Sequence, residues 1–281
     1  MKIDAHQHFW ALSNPFCDWP TPAEEEIHRD FGPADLAPLL AAHGVTGTIL
    51  VQAAPALAET HYLLDVASRV TFVKGVIGWV DFESPAALRE IDDLSLNRLF
   101  RGVRPMLQSI PDPGWMLDPR FTQIYECLAA QKLTFDALVR PVHLASLAEL
   151  AARHPHLRII IDHGAKPAIR DGVSGFDDWA AGISRLAEHE NVACKISGLL
   201  TEAAPGAGLE DLRGWLDHLY TAFGPERLLW GSDWPVVLME ASYGEWLSLV
   251  EDWLSDKPAA ARDLIFGGTA RRVYGLTDET A

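Results

Sequence analysis

What this chain has little of sets its class. It carries three cysteines in 281 residues, Cys17, Cys127 and Cys194, odd in number and widely spaced. That excludes a disulfide framework and a paired-cysteine metal motif, and it implies inert thiols in a reducing compartment. Positive charge is scarce: 23 Lys and Arg stand against 39 Asp and Glu, for a formal charge of -16. A nucleic-acid backbone or an anionic membrane surface is therefore not the expected partner. No apolar run reaches the length of a membrane span, and no basic segment leads into an apolar one, so the expected location is the cytoplasm. Low-complexity linkers and breaks in composition are absent too, which predicts one domain over residues 1–281. The chain is long enough to bury a large core.

What is present is an alternation of short apolar runs and longer amphipathic ones. Apolar runs at 3–8, 47–52, 72–80, 99–103, 133–139, 157–162, 192–196 and 227–230 predict eight strands. Helical patterns follow at 35–43, 58–69, from 85, and at 121–131, 144–154, 177–189, 209–222 and 243–253. Further helical turns are predicted at 259–266 and 270–274. Apolar strands separated by helices mean a parallel sheet covered on both faces. Eight such units in this length predict an α/β fold, a closed (β/α)8 barrel. An open doubly wound sheet would carry a Gly-rich turn after its first strand, and none is there. One connection is long: residues 9–32 hold Trp10, Pro15, Trp19, Pro20, Pro22 and the acidic run 24–26. It is expected to be a lid or binding loop.

In such a barrel the active site gathers at the C-terminal ends of the strands. Strand one delivers His6 and His8, with Asp4 on the same face by the period of two. Asp4 has two readings, a carboxylate that orients a histidine or a plain strand-start residue. Arg101 and Arg104 close strand four, Asp136 lies within strand five, and His163 follows strand six. Lys195 and Ser197 belong to strand seven and Asp233 follows strand eight. Closure makes strands one and eight neighbours, so Asp233 is expected to approach His6 and His8. Lys195 stands among apolar neighbours, and an unpaired buried ammonium is costly. It must pair with a carboxylate, Asp136 being one choice, or bind a ligand. The arginines offer forks of donors for a carboxylate or carbonyl, or form salt bridges between barrel end and loop. Trp10, Trp19, Trp79, Trp115 and Trp234 supply faces that stack on sugars or line a flat apolar cleft.

The segments IDAHQHFW (3–10), RGVR (101–104), DHGAKP (162–167), CKISGL (194–199), LLWGSDWPV (228–236) and GGTARR (267–272) together resemble the amidohydrolase superfamily. Within it they are similar to the sugar-lactonase branch of the L-fucono- and L-rhamnonolactonases. The resemblance implies hydrolysis of a sugar lactone to the open aldonic acid, with Asp233 as general base and His6, His8 and His163 as the other catalytic positions. It maps the branch's arginines to Arg101 and Arg104 and its strand-seven lysine to Lys195; Trp19, Trp234 and Asp136 complete the expected substrate-binding set. Two departures stand out. Pro105 replaces the histidine of the branch's RGxRH pattern. Strand five, TFDALV (134–139), lacks the His or modified Lys that bridges two metals, so a two-metal centre is not expected.

Nitrogen and oxygen donors of His6, His8, Asp233 and His163 suit one divalent ion, zinc or manganese. Whether the reaction requires it is left open, because cationic side chains can also polarise a lactone. Two other readings remain: a metal-dependent decarboxylase of an aromatic or unsaturated carboxylate, and a non-catalytic sugar-acid-binding barrel. The expected partner is a small sugar lactone, and a homo-oligomer is compatible with such a barrel.

Overall fold

Strands apolar on both faces bury themselves by pairing in parallel under a coat of helices. In the computed structural model, which describes residues 1–172 and 174–276, the chain does so throughout. The first half runs β1 (Lys2–Gln7), α1 (Pro33–His43), β2 (Val45–Val51), α2 (Leu57–Ser68), β3 (Val73–Gly78), α3 (Ala87–Ser95), β4 (Phe100–Val103) and α4 (Thr122–Ala130). The second continues with β5 (Thr134–Ala137), α5 (Leu144–Arg153), β6 (Arg158–Ile161), α6 (Phe176–Ala187), β7 (Val192–Ile196), α7 (Leu209–Phe223), β8 (Leu228–Trp230) and α8 (Tyr243–Trp253). Then follow α9 (Ala259–Asp263) and α10 (Thr269–Val273). Strands pair in parallel with their chain neighbours from β1 to β8. Two backbone bonds at the rim bring β8 back to β1. Asp233 donates its N–H to the His6 carbonyl at 2.8 Å, and His8 donates to the Trp234 carbonyl at 2.7 Å. Closure and the meeting of Asp233 with the histidine pair are thus one structural event.

One apolar cluster joins Ile3, Ala5, Ile49, Val51, Ile77, Ile160, Ala193 and Leu229 to Ala270, Val273 and Tyr274, so the end of α10 seals the lower mouth. A larger cluster lies between strands and helices. Helix 259–266 was expected as one piece; instead α9 stops at Asp263 and a wide π-type turn covers Leu264–Gly268. Gly267 has to be glycine there, since a Cβ would stand 2.3 Å from the Met1 carbonyl. No helix among the described residues is long and apolar enough to cross a membrane.

The period-of-two reading of β1 needs correction. The register against β2 shifts between Asp4 and Gln7, and such an extra residue re-aims the side chains beyond it. Asp4 therefore parts from His6. It accepts hydrogen bonds from the Tyr243 hydroxyl of α8 at 3.2 Å, the Ser232 N–H at 2.8 Å and the His6 N–H at 3.1 Å. Burial raises its pKa to about 6 against these bonds. It anchors backbone and meets neither imidazole.

The connection over residues 9–32 is closed at its base. Trp10 and Phe31 exchange two backbone hydrogen bonds, both of 3.0 Å, and their rings meet edge to face at 5.6 Å. The Trp10 indole adds a bond to the Arg29 carbonyl at 2.8 Å. A loop tied this way costs less entropy to hold in place than an open one of its length.

Candidate active site

At the rim, four side chains converge from three strand exits. Asp233 Oδ1 lies 3.3 Å from His8 Nε2, 3.6 Å from His6 Nε2 and 3.9 Å from His163 Nε2. His6 Nε2 and His8 Nε2 are 3.2 Å apart. Each imidazole is fixed from behind. His8 Nδ1 is 2.8 Å from the Val51 carbonyl; a carbonyl only accepts, so His8 carries a hydrogen on Nδ1 and turns Nε2 to the rim. His163 Nδ1 meets the Ser197 hydroxyl at 2.9 Å. The backbone is strained where these groups are presented. His163 and Asp233 hold φ of 53° and 58°, a left-handed region that residues other than glycine seldom occupy, though Asp and His enter it more readily than most.

The electrostatics follow from enclosure. Burial lowers the His163 pKa to about 4, against the pull of Asp233 and Asp162. Burial likewise holds His6 well below the usual imidazole range, although Asp162 opposes it. For Asp233, burial would raise the carboxyl, but His163, the contact with His8, and His6 outweigh it and hold it well below the usual carboxylate range. At neutral pH the rim is an ionised carboxylate beside two imidazoles, His6 and His163, that burial keeps neutral.

Directly below lies a second cluster. Lys195, fully enclosed, places its Nζ 2.6 Å from Asp136 Oδ2, 2.8 Å from Asp162 Oδ1 and 3.1 Å from His6 Nδ1. Asp136 also accepts from the Tyr274 hydroxyl at 2.8 Å and the Thr134 hydroxyl at 2.7 Å. Asp162 Oδ2 lies 3.3 Å from Arg104 Nη1. Burial disfavours the ammonium, yet the two carboxylates more than offset it and raise the Lys195 pKa. His6 Nδ1 faces two groups at once, the Lys195 ammonium and Asp162 Oδ1 at 3.4 Å, while its Nε2 faces His8 and the Arg104 guanidinium at 3.4 Å. As a ligand through Nε2 it would keep its hydrogen on Nδ1, toward Asp162.

Above the rim opens a cavity of about 340 Å³ whose walls include His8, His163, Asp233 and Arg104. Of the residues expected to meet substrate, Arg104 and Trp19 line it. Lys195 and Asp136 are fully buried beneath it and do not line it; nor does His6, which meets the lining through His8 and Asp233. Arg101 does not line it; its stem packs over Gly75, where a Cβ would come within 2.5 Å of Arg101 Cγ. Trp234 is buried, edge-on to Phe31 at 5.2 Å and Phe9 at 6.2 Å, outside the cavity. Asp18, Gln108, Ser109 and Lys166 line the cavity without having been singled out, as do the apolar Ala54, Pro55, Met106, Leu138 and Val236. Most stand on connections, where no periodicity marks them; Lys166 and Val236 lay inside recognisable segments, and Leu138 at the end of the expected fifth strand. Glu59, buried on α2, accepts from the Ala53 and Ala54 N–H groups at 2.8–3.1 Å. It thereby fixes another stretch of wall.

The donor set fits a divalent ion. His6, His8 and Asp233 form a triangle with edges of 3.2, 3.3 and 3.6 Å. A tetrahedral zinc with bonds of about 2.0–2.1 Å requires ligand–ligand edges of about 3.3–3.4 Å. Their atoms, and those of His6, Asp162 and His163, make the two groups of suitable ligands found among the described residues.

Comparison with known proteins bears on the same residues. The family model described as Amidohydrolase matches residues 3–276. An L-fucono-1,5-lactonase of Burkholderia ambifaria is 46% identical over 281 residues, covering 98% of this chain and 96% of that protein. A second, from Burkholderia multivorans, is 37% identical over 289 residues, covering 99% and 97%. A crystal structure of an amidohydrolase from Burkholderia multivorans with bound zinc superposes with a TM-score of 0.93 at 35% identity, covering 99% of this chain and all of that one.

Proposed function

The chain belongs to the amidohydrolase family, and from that premise we propose that it is a lactonase opening the ring ester of a sugar lactone to the aldonic acid. The observation that carries the reading is the convergence of three imidazole Nε2 atoms on one ionised carboxylate, Asp233, at the floor of the cavity. The two full-length lactonase relatives support the substrate class.

In this mechanism Asp233 takes a proton from water as the water oxygen attacks the lactone carbonyl; a general base of this kind contributes about 10²–10⁴-fold. Oδ1 is engaged by the imidazoles, which leaves Oδ2 for the proton. Arg104 and His163 face the oxygen on which charge develops. The C–O bond of the ring then breaks, and the proton held by Asp233 passes to the departing alkoxide, which stays part of the same molecule. His6, His8 and Asp233 would hold one divalent ion, with His163 beside them, and a zinc-class ion there would act as a Lewis acid on the carbonyl.

The cavity's charges favour a neutral ring over a carboxylate substrate. Arg104 is committed to Asp162 and to Gln52, and Lys166 to Glu202 at 3.1 Å. Of the five tryptophans that could build a flat aromatic cleft, only Trp19 lines the space. Both features weigh against the decarboxylase reading. The same proposal takes residues 1–281 as one domain and places the enzyme in the cytoplasm, in keeping with free thiols at Cys17, Cys127 and Cys194.

A pH-indicator assay over 1,4- and 1,5-aldonolactones tests the reading, since each opened ring releases a proton. Turnover of at least one aldonolactone is expected. Inertness toward the whole panel, with carbon dioxide released from aromatic acids, would overturn it.

A further inference from the structure

Two groups of possible metal ligands share His6: the outer triad with His8 and Asp233, and an inner set with Asp162 and His163. The inner set is where a second ion would have to sit, and a positive charge is already there. Lys195 Nζ touches two of its three members, His6 Nδ1 at 3.1 Å and Asp162 Oδ1 at 2.8 Å, and adds Asp136 at 2.6 Å. These are lengths of charge-assisted hydrogen bonds, about 2.7–2.9 Å, and not of coordination bonds, about 2.0–2.2 Å. The pocket is therefore cut to an ammonium.

We propose that Lys195 is the centre's built-in second cation, standing permanently in the inner position, so that the barrel accepts a divalent ion at the outer triad and none at the inner set.

Three features of the chain make the arrangement durable. Lys195 lies one residue from the C-terminal end of β7 and is still paired with Leu229 of β8, so its stem is held by the sheet. Its carboxylate partners have further donors of their own: Thr134 and Tyr274 on Asp136, Arg104 on Asp162. And His6 is divided between the clusters, with Nδ1 turned to the ammonium and to Asp162 and Nε2 turned to the rim. An ion entering the inner set would have to displace a charge that is covalently tethered. It would also have to draw the carboxylates in by about half an ångström. The reading extends the metal fit of the outer triad but is separable from it, because it concerns the difference between two proteins.

The test is the number of zinc equivalents per chain after equilibrium dialysis, measured by elemental analysis. Lys195→Ala, which removes the ammonium and opens space, is expected to bind one equivalent more than the wild-type chain. Adding Asp162→Asn to that variant is expected to abolish the extra equivalent. If Lys195→Ala does not fold, Lys195→Ala with Asp136→Asn, which removes an ammonium and a carboxylate together, replaces it with the same expected gain. Equal equivalents in folded variant and wild type, two equivalents in the wild type, or an extra ion that survives Asp162→Asn would each overturn the inference. A wild type that binds none, beside a variant that binds one, would refute the outer-triad fit and leave the inner assignment standing.

Discussion

Asp162 and Asp233 both leave the end of a barrel strand, and both are withdrawn from water, yet their surroundings differ. Asp162 belongs to the floor: ammonium at 2.8 Å, guanidinium at 3.3 Å, opposite charges at contact distance. Asp233 belongs to the rim and faces only imidazoles, at 3.3–3.9 Å. Burial alone raises both carboxyls. At the floor Lys195, His6 and Arg104 pull Asp162 well below the usual range, while at the rim the imidazoles do the same for Asp233. The floor sets each charge against an opposite one at contact distance, so it specifies geometry, although Asp162 Oδ1, ion-paired to Lys195, and Arg104 Nε have no hydrogen-bond partner there. The rim is ionised but only loosely engaged, so it has capacity for water, substrate or an ion. A site needs both, since loose groups hold position only when tight ones lie beneath them.

The largest expected effect falls on the rim. Asp233→Asn keeps the shape but removes the proton acceptor, and turnover should fall by about 10²–10⁴-fold with the melting temperature nearly unchanged. Near-normal turnover would dissolve the distinction, because Asp233 would then be as structural as Asp162. The floor should respond in the opposite way. Lys195→Met strands two buried carboxylates, and breaking such a pair costs about 3–5 kcal/mol. Urea unfolding is the readout, and a loss below about 1 kcal/mol would show the floor to be no tighter than a surface ion pair.

Acidity separates the regions further. The His163 pKa falls from 6.5 to about 4 in the folded chain, so on acidification the unfolded chain takes up that proton first. The stabilisation is complete above pH 6.5 and is lost as the pH falls toward 4, a difference of about 3 kcal/mol from this one group. Asp4, raised from 3.8 to about 6, and Glu59, raised from 4.5 to about 7, have the opposite sign and lose stability as the pH rises. The wild-type curve mixes these three with His6, whose pKa is likewise held low and whose contribution has the sign of His163. The slope of melting temperature against pH between 4 and 6.5 should therefore be compared with that of His163→Gln, and it should be shallower in the variant. An unchanged slope would mean that His163 is not neutral in the fold.

The barrel was legible in the sequence because its strands are apolar runs and its helices amphipathic ones, and strand order follows chain order. His6, His8, His163 and Asp233 were legible as a set because closure leaves strand exits only one place to meet. The orientation of neighbours was not. A one-residue register shift sent Asp4 to Tyr243, and composition carries no trace of such a shift. Lys195 could be said to need a carboxylate, but that it has two, with Asp162 the second, depends on the inward reach of β6 and β7. Arg101 and Arg104, three apart, fall on opposite faces by the period of two, and the end of β4 at Val103 does not bring them together: Arg104 lines the cavity and Arg101 packs over Gly75. Asp18 and Gln108 stand on connections, where nothing in the local pattern sets them apart from ordinary loop residues.

Trp19 and Trp234 give the finest version of the comparison, and the smallest expected effect. Both were plausible stacking faces for a sugar ring. Trp234 follows Asp233 directly, but its ring is buried between Phe9 and Phe31, where it supports the rim from behind. Trp19 is half-buried on the tied loop, leans edge-on against Trp10 at 5.5 Å, and presents the rest of its ring to the cavity. Removing a face that binds ground state and transition state alike raises KM and spares kcat. Trp19→Ala should therefore raise KM for a turned-over lactone by about tenfold, worth about 1.4 kcal/mol, with kcat within a factor of about two. Trp234→Ala should instead cost about 3–5 kcal/mol of stability as a large buried ring is lost. A Trp19→Ala enzyme with unchanged KM and lowered kcat would place that loop among the groups that shape the transition state, and the rim would then extend to the lid.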